Sequence, residues 1–205
     1  MSILEDAKRI HALAQIGLTY SPNPYDLERY EELRAISLRL MAAATDAPLE
    51  KLSLYFNGGK EYVTPKVDVR AVIFNPAGEI LLVREASDGR WSLPGGWADV
   101  GYSPREVAVK EVREETGLTV TPTRLLAVLD KRLHAHPPAL EYTYKLFIEC
   151  TPENDQAGPP AFDILEARFF AEDRIPPLSL ERLTPEQLHL MFGYGRDPAR
   201  EVMFD

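Results

Sequence analysis

Hydrophobic and polar positions follow two different rhythms along this chain. Near the start, Ile3, Ala7, Ile10 and Ala14 recur at helical intervals, flanked by Leu4 and Leu13, and Gly17 is placed to stop the helix. Over residues 26–44 the period is helical again, with Leu27, Tyr30, Leu38 and Met41 on one side and Leu33, Ile36 and Leu40 on another. The turn cluster Ser21-Pro22-Asn23-Pro24 separates the two stretches, so a helical hairpin is expected. A short strand over residues 52–56 and an Asn57-Gly58-Gly59 turn follow.

From Lys66 onward the rhythm becomes β-rich. Residues 67–74 and 80–83 read as strands around a Pro76-Ala77-Gly78 turn, with further strands over 125–130, 142–150 and 166–170. Helices are expected over 104–116 and 185–192, and the Pro- and Gly-containing stretch 151–160 reads as a surface loop. Mixed strands and helices imply a layered α/β core. The chain therefore divides into a helical N-terminal extension, 1–64, and an α/β domain, 65–205, with no internal repeat.

Composition narrows the class. Across 205 residues, 45% hydrophobic and 27% charged positions describe an ordinary globular protein with material for a core. The formal charge of -9, from 32 acids against 23 bases, argues against gripping a long phosphate backbone, so DNA is not an expected partner. A small anionic substrate is still compatible, because a divalent cation held by clustered carboxylates reverses the local field. Cys150 is the only cysteine, which excludes an intramolecular disulfide and a thiolate zinc cluster and fits a reducing cytoplasm. No stretch has the run of about 18 apolar residues that a membrane span needs, and the N-terminus lacks the apolar core of a signal peptide.

The chemistry concentrates in residues 93–118. Ser103 is a natural N-cap, Pro104 suits the first helical position, Glu106 completes a capping box, and Gly117 is placed to end the helix. On that helix Glu111, Glu114 and Glu115 fall within one arc of roughly 100°, beside an apolar arc of Ala108, Val109 and Val112. Like charges so close repel, and a hard divalent cation with oxygen ligands, Mg²⁺ above all, removes that penalty. A solvated acidic helix face is the alternative that the arc alone leaves open.

In its full context the segment resembles the Nudix box: Gly, five residues, Glu, seven residues, Arg-Glu, aliphatic, any residue, Glu-Glu, any residue, Gly, aliphatic. Gly96, Glu111, Val112, Glu114, Glu115, Gly117 and Leu118 match in register after a Leu93-Pro94-Gly95-Gly96 turn. The resemblance implies the Nudix fold over about residues 66–190, an α/β/α sandwich around a mixed sheet, and an enzyme that uses Mg²⁺, or Mn²⁺ in its place. It also implies metal ligation by Glu111, Glu114 and Glu115, with Glu115 the preferred group to orient or deprotonate the attacking water. Glu166, an acid before an aromatic-ended strand, resembles a further metal ligand of many Nudix enzymes, and the Gly95 carbonyl is a weaker candidate; Glu166 and Asp163 are the alternative bases. Tyr102 stands where the family has Glu and Lys110 where it has Arg, a departure expected to remove an internal ion pair and alter the loop while sparing the metal ligands.

Arg84, Trp91, His134 and His136 are the candidate substrate contacts, offering cationic, aromatic and basic groups near the box or in a rigid His-Ala-His-Pro-Pro loop. The helical extension, the Gly-Gly-Trp-Ala-Asp-Val-Gly turn and that loop together resemble a Nudix subgroup typified by CDP-choline pyrophosphatase. Its members hydrolyse a nucleoside diphosphate linked to another moiety, giving a nucleoside monophosphate and the phosphorylated partner, and their N-terminal part is thought to form a homodimer. ADP-ribose is the alternative substrate, and a Nudix-fold binding module without turnover is the reading from a different class. Such modules usually lose the box glutamates, which are intact here.

Overall fold

The computed structural model describes residues 2–56, 62–153 and 163–205. The expected Asn57-Gly58-Gly59 turn and most of the expected 151–160 loop lie outside them. Two compact units emerge, Met1–Thr64 and Pro65–Asp205.

In the first unit, helix α1 (Ile3–Tyr20) starts at Ser2, whose hydroxyl accepts from the Glu5 amide. Its buried face is Leu4, Ala7, His11, Ala14 and Leu18, so the apolar stripe is turned from the expected one: Ile3 and Leu13 are exposed. Gly17 does not stop the helix. It lies within α1 because a Cβ there would fall 2.5 Å from the Tyr30 ring, so its lack of a side chain permits helix contact rather than chain reversal. Helix α2 (Pro24–Thr45) is capped by the Asn23 side chain, with Pro24 in its first turn. Only Ser37 and Met41 are buried on it, while Leu33 and Leu40 are exposed. The expected strand over 52–56 is instead part of helix α3 (Leu49–Tyr55), which buries Leu52. A short apolar run carries no period long enough to separate the two structures.

The second unit contains β1 (Lys66–Val72), β2 (Ile80–Glu85), β3 (Trp91–Ser92), β4 (Gly95–Trp97), α4 (Pro104–Thr116), β5 (Val120–Asp130), β6 (Thr143–Pro152), β7 (Ile164–Phe170), α5 (Pro185–Arg196) and β8 (Met203–Phe204). One sheet has the order β4-β1-β6-β5-β8 and the other β3-β2-β7. β1 runs parallel to β6 and antiparallel to β4, so the first sheet is mixed.

Side-chain alternation along the strands feeds two apolar clusters. Val69, Ala71, Ile73 and Leu81 join Val107, Ala108 and Val112 of α4, with Ala167 and Phe169 of β7 packed against them. Val72, Ile80, Leu82, Trp91, Phe147 and Phe170 join Leu188, Met191 and Phe192 of α5. The result is the helix, sheet, helix sandwich anticipated from the box. Among the described residues no helix is long and apolar enough to cross a membrane.

Candidate active site

Helix α4 forms for local reasons. Ser103 Oγ accepts from the Glu106 amide, the Glu106 carboxylate accepts from the Ser103 amide at 2.8 Å, and Gly117 closes the helix at φ 70°. These caps fix the phase of the helix, so that Val107, Ala108 and Val112 enter the core and the three glutamates follow a gradient of burial. Glu115 is 7% exposed, the Glu111 side chain 16% and the Glu114 side chain 51%.

The Leu93-Pro94-Gly95-Gly96 turn meets this helix. The Gly95 N–H donates to Glu115 Oε2 at 2.9 Å. Gly95 sits at φ 142°, and a Cβ there would lie 2.0 Å from the Val69 carbonyl oxygen across the β1–β4 pairing. At Gly96 a Cβ would come 3.1 Å from the Glu111 carboxyl carbon, so backbone and carboxylate are in close approach. Burial raises the Glu115 carboxyl to about 8, against the opposing pull of Arg70 and the Gly95 amide. Burial also raises Glu111, with Lys110 opposing.

Tyr102 carries no charge to pair with Lys110, and Lys110 turns to other acids: its ammonium lies 3.4 Å from Glu111, 3.2 Å from Glu114 and 3.8 Å from Asp99. Asp99 thus supplies an acid near Lys110 while Tyr102 stays half exposed. Among the described residues no three His, Cys, Asp or Glu side chains form a ready cation cage. The donor chemistry nevertheless fits a hard cation, because Glu111 and Glu114 already share one positive charge through Lys110 and two of the three carboxylates are pushed toward the neutral form by burial.

The remaining sequence-derived candidates are dispersed. Glu166 is not brought to the arc: Ala167 and Phe169 take the α4 side of β7, so Glu166 shares the opposite face with Arg168, 3.8 Å away, and Phe170. The Asp163 carbonyl accepts from the Ala86 amide. Arg84 pairs in register with Trp91 and Glu166 and donates to the Gly89 carbonyl. Trp91 is core, its ring edge-on to Phe170 at 4.7 Å. His134 Nε2 lies 2.9 Å from Asp205. His136 Nδ1 donates to the Leu180 carbonyl at 2.7 Å, and burial lowers this histidine to about 4.

Glu85 escaped the sequence reading. It is buried, accepts from Ser92 Oγ at 2.8 Å, pairs with Arg182 at 3.1 Å, and lies within electrostatic reach of Glu115 and Arg70. Its signal was the neighbouring Arg84: on a strand, adjacent residues face opposite ways, and the acid rather than the base takes the inner side.

Residues 64–191 match the NUDIX domain model, and residues 1–56 match a model described as a UDP-X-like N-terminal oligomerisation domain. The chain belongs to the Nudix hydrolase family. It is similar to YjhB of Bacillus subtilis (strain 168), provisionally named an ADP-ribose pyrophosphatase, at 47% identity over 98% of this chain and 96% of that protein. Among solved structures it resembles a UDP-X diphosphatase, at 34% identity and TM-score 0.64 over 99% of this chain and 98% of that one. It also resembles an ADP-ribose pyrophosphatase from Streptococcus suis 89-1591, at 43% identity and TM-score 0.62 over 69% of this chain and all of that one.

Proposed function

We propose that this protein hydrolyses the pyrophosphate bond of a nucleoside diphosphate joined to a second moiety, releasing a nucleoside monophosphate and the phosphorylated partner. The observation that carries this reading is the graded carboxylate arc of Glu111, Glu114 and Glu115 docked on the Gly95–Gly96 backbone. Glu111, Glu114 and Glu115 would hold Mg²⁺ or Mn²⁺, with the Gly95 carbonyl as a further candidate oxygen; Glu166 drops out of that set. A bound divalent cation supplies charge neutralisation at the pyrophosphate and acidifies the attacking water.

Glu115 is the group that orients the attacking water or takes its proton. It is the most enclosed of the three, and the Gly95 N–H fixes one of its oxygens while leaving the other available. Glu114, the most exposed of the three, would help hold the cation on the open side of the arc. Two of the relatives carry names that favour ADP-ribose as substrate and one a name that favours a UDP-linked compound, whereas the resemblance of the His134-Ala135-His136 loop favours the CDP-choline type. The N-terminal unit is read as the homodimerisation element, and a reducing cytoplasm as the setting.

The test is a substrate panel with Mg²⁺: CDP-choline, ADP-ribose, NADH and nucleoside triphosphates, with products identified by phosphorus NMR. Release of nucleoside monophosphate from a nucleoside diphosphate-linked compound, abolished by chelation and restored by Mg²⁺ or Mn²⁺, is expected. Turnover confined to triphosphates would refute the substrate class, and turnover surviving exhaustive chelation would refute the metal assignment.

A further inference from the structure

Three charged side chains on two neighbouring strands are sealed from water beside the box turn: Asp68 is 4% exposed, Arg70 6% and Lys145 1%. The β1–β6 register sets Asp68 opposite Lys145, whose ammonium bonds the carboxylate. The same carboxylate accepts from Arg70 Nε at 3.0 Å and pairs with Arg70 Nη2 at 2.9 Å. Sealing ions from water is costly, and an apolar group of similar volume often serves stability as well or better. Stability alone therefore gives little reason for this trio.

The remaining guanidinium nitrogen supplies a reason. Arg70 Nη1 donates to the Leu93 carbonyl at 3.0 Å, at the start of the turn that meets the carboxylate arc. The next links are short: the Ala71 amide donates to the Pro94 carbonyl at 2.8 Å, Arg70 stands opposite Gly95 in the β1–β4 register, and the Gly95 amide holds Glu115. We propose that Arg70 is a positioning residue: oriented by Asp68 and Lys145, it anchors the Leu93 carbonyl and so sets where the Gly95 N–H and the Gly96 backbone meet Glu115 and Glu111. The role rests on the assignment of those two glutamates to the site. It requires a guanidinium, since a planar fork can hold Asp68 and Leu93 together, whereas an ammonium is a single point charge on a flexible stem.

Two variants test this. Arg70→Lys keeps the charge and removes the fork. The triple Asp68→Leu, Arg70→Met, Lys145→Met replaces the whole trio with apolar groups and keeps the pocket filled. Each is measured for thermal stability, for kcat and KM on the substrate the parent turns over, and for hydrogen exchange at the Gly95 amide. Loss of the anchor is expected to lower kcat by about 10²-fold with KM within about twofold, because small misplacement of reacting groups is costly. Gly95 exchange should quicken at least about tenfold while the Leu146 and Ile148 amides keep their protection. Parent-level kcat and Gly95 exchange in either folded variant would overturn the proposal; if the triple does not fold, Arg70→Lys decides. Should the parent turn over nothing, the functional reading fails by itself, and the exchange measurement still decides the role of Arg70.

Discussion

The Gly95 N–H points at Glu115 Oε2 across 2.9 Å, so the most enclosed carboxylate of the arc is held by a backbone donor. Glu115→Gln preserves an oxygen that can accept this bond and removes the charge. The variant should fold with a melting temperature close to the parent's, and kcat should fall by about two to four orders of magnitude. Tyr102→Glu, at a half-exposed position, should change kcat far less. Near-full kcat in Glu115→Gln at saturating Mg²⁺ would mean that the arc is only a charged helix face.

Gly95 and Gly78 both have positive φ, but their surroundings differ: a Cβ at Gly95 meets the Val69 carbonyl oxygen at 2.0 Å, and at Gly78 it meets nothing within 4 Å. Gly78→Ala should therefore cost about 1 kcal/mol, the backbone penalty alone. Gly95→Ala must in addition part β1 from β4, and should cost about 3 kcal/mol or more together with nearly all turnover. Chemical denaturation of the two variants side by side checks the difference.

His11 gives the N-terminal unit a pH dependence. Burial, helped by Arg34, lowers its imidazole from 6.5 to about 4, while Ser37 Oγ lies 3.1 Å from Nδ1 and the Phe56 ring packs at 4.8 Å. The folded state resists the proton that the unfolded chain accepts, so unfolding takes up a proton between these two values. Stability is thus complete above the unfolded pKa and declines as pH falls through the window, by at most about 1.4 kcal/mol per pH unit. Because Glu115 and His136 also titrate in this window, the readout is the difference between two chains: the stability of the parent relative to His11→Gln should fall between about pH 7 and about pH 5. A parent-to-variant difference that stays constant with pH would take the dependence away from His11.

The approach of α1 to α2 at Gly17 and Tyr30 makes a further prediction. A methyl group at Gly17 overlaps the Tyr30 ring, so Gly17→Ala should destabilise the N-terminal unit by about 1–3 kcal/mol, and Tyr30→Leu in the same chain should recover part of the loss. If this unit joins two chains, sedimentation should give a dimer mass for the parent and a dimer that dissociates more readily for Gly17→Ala. A parent mass near one chain at micromolar concentration would remove the dimer reading.

What could be read from the sequence was what is decided locally. The cap at Ser103, the proline after it and Gly117 specify α4 from a few neighbouring residues, and its expected span, 104–116, is the observed one. Residues 52–56 offered no such local signal, and a helix formed where a strand was expected. Glu166 and Glu85 illustrate a second kind of difficulty: each lies on a strand, and which face turns inward depends on partners far away in the chain. The Asp68, Arg70 and Lys145 trio was harder still to see, because its members join across a separation of 77 residues through a parallel pairing that no short motif records.

β8 is only two residues long, yet Met203 and Phe204 lie alongside Ala127 and Val128 of β5 and cover part of the outer edge of the sheet. The Asp205 carboxylate extends the cover by accepting from the Asp130 amide at 2.8 Å. An eleven-residue strand with unpaired amides on one side is a template for other chains. This short cover therefore bears on colloidal behaviour more than on folding: Met203→Pro, which removes the amide that donates to Tyr194 Oη and so unseats β8 without touching the carboxylate arc, should leave kcat unchanged and show itself as faster aggregation in concentrated or warmed solutions.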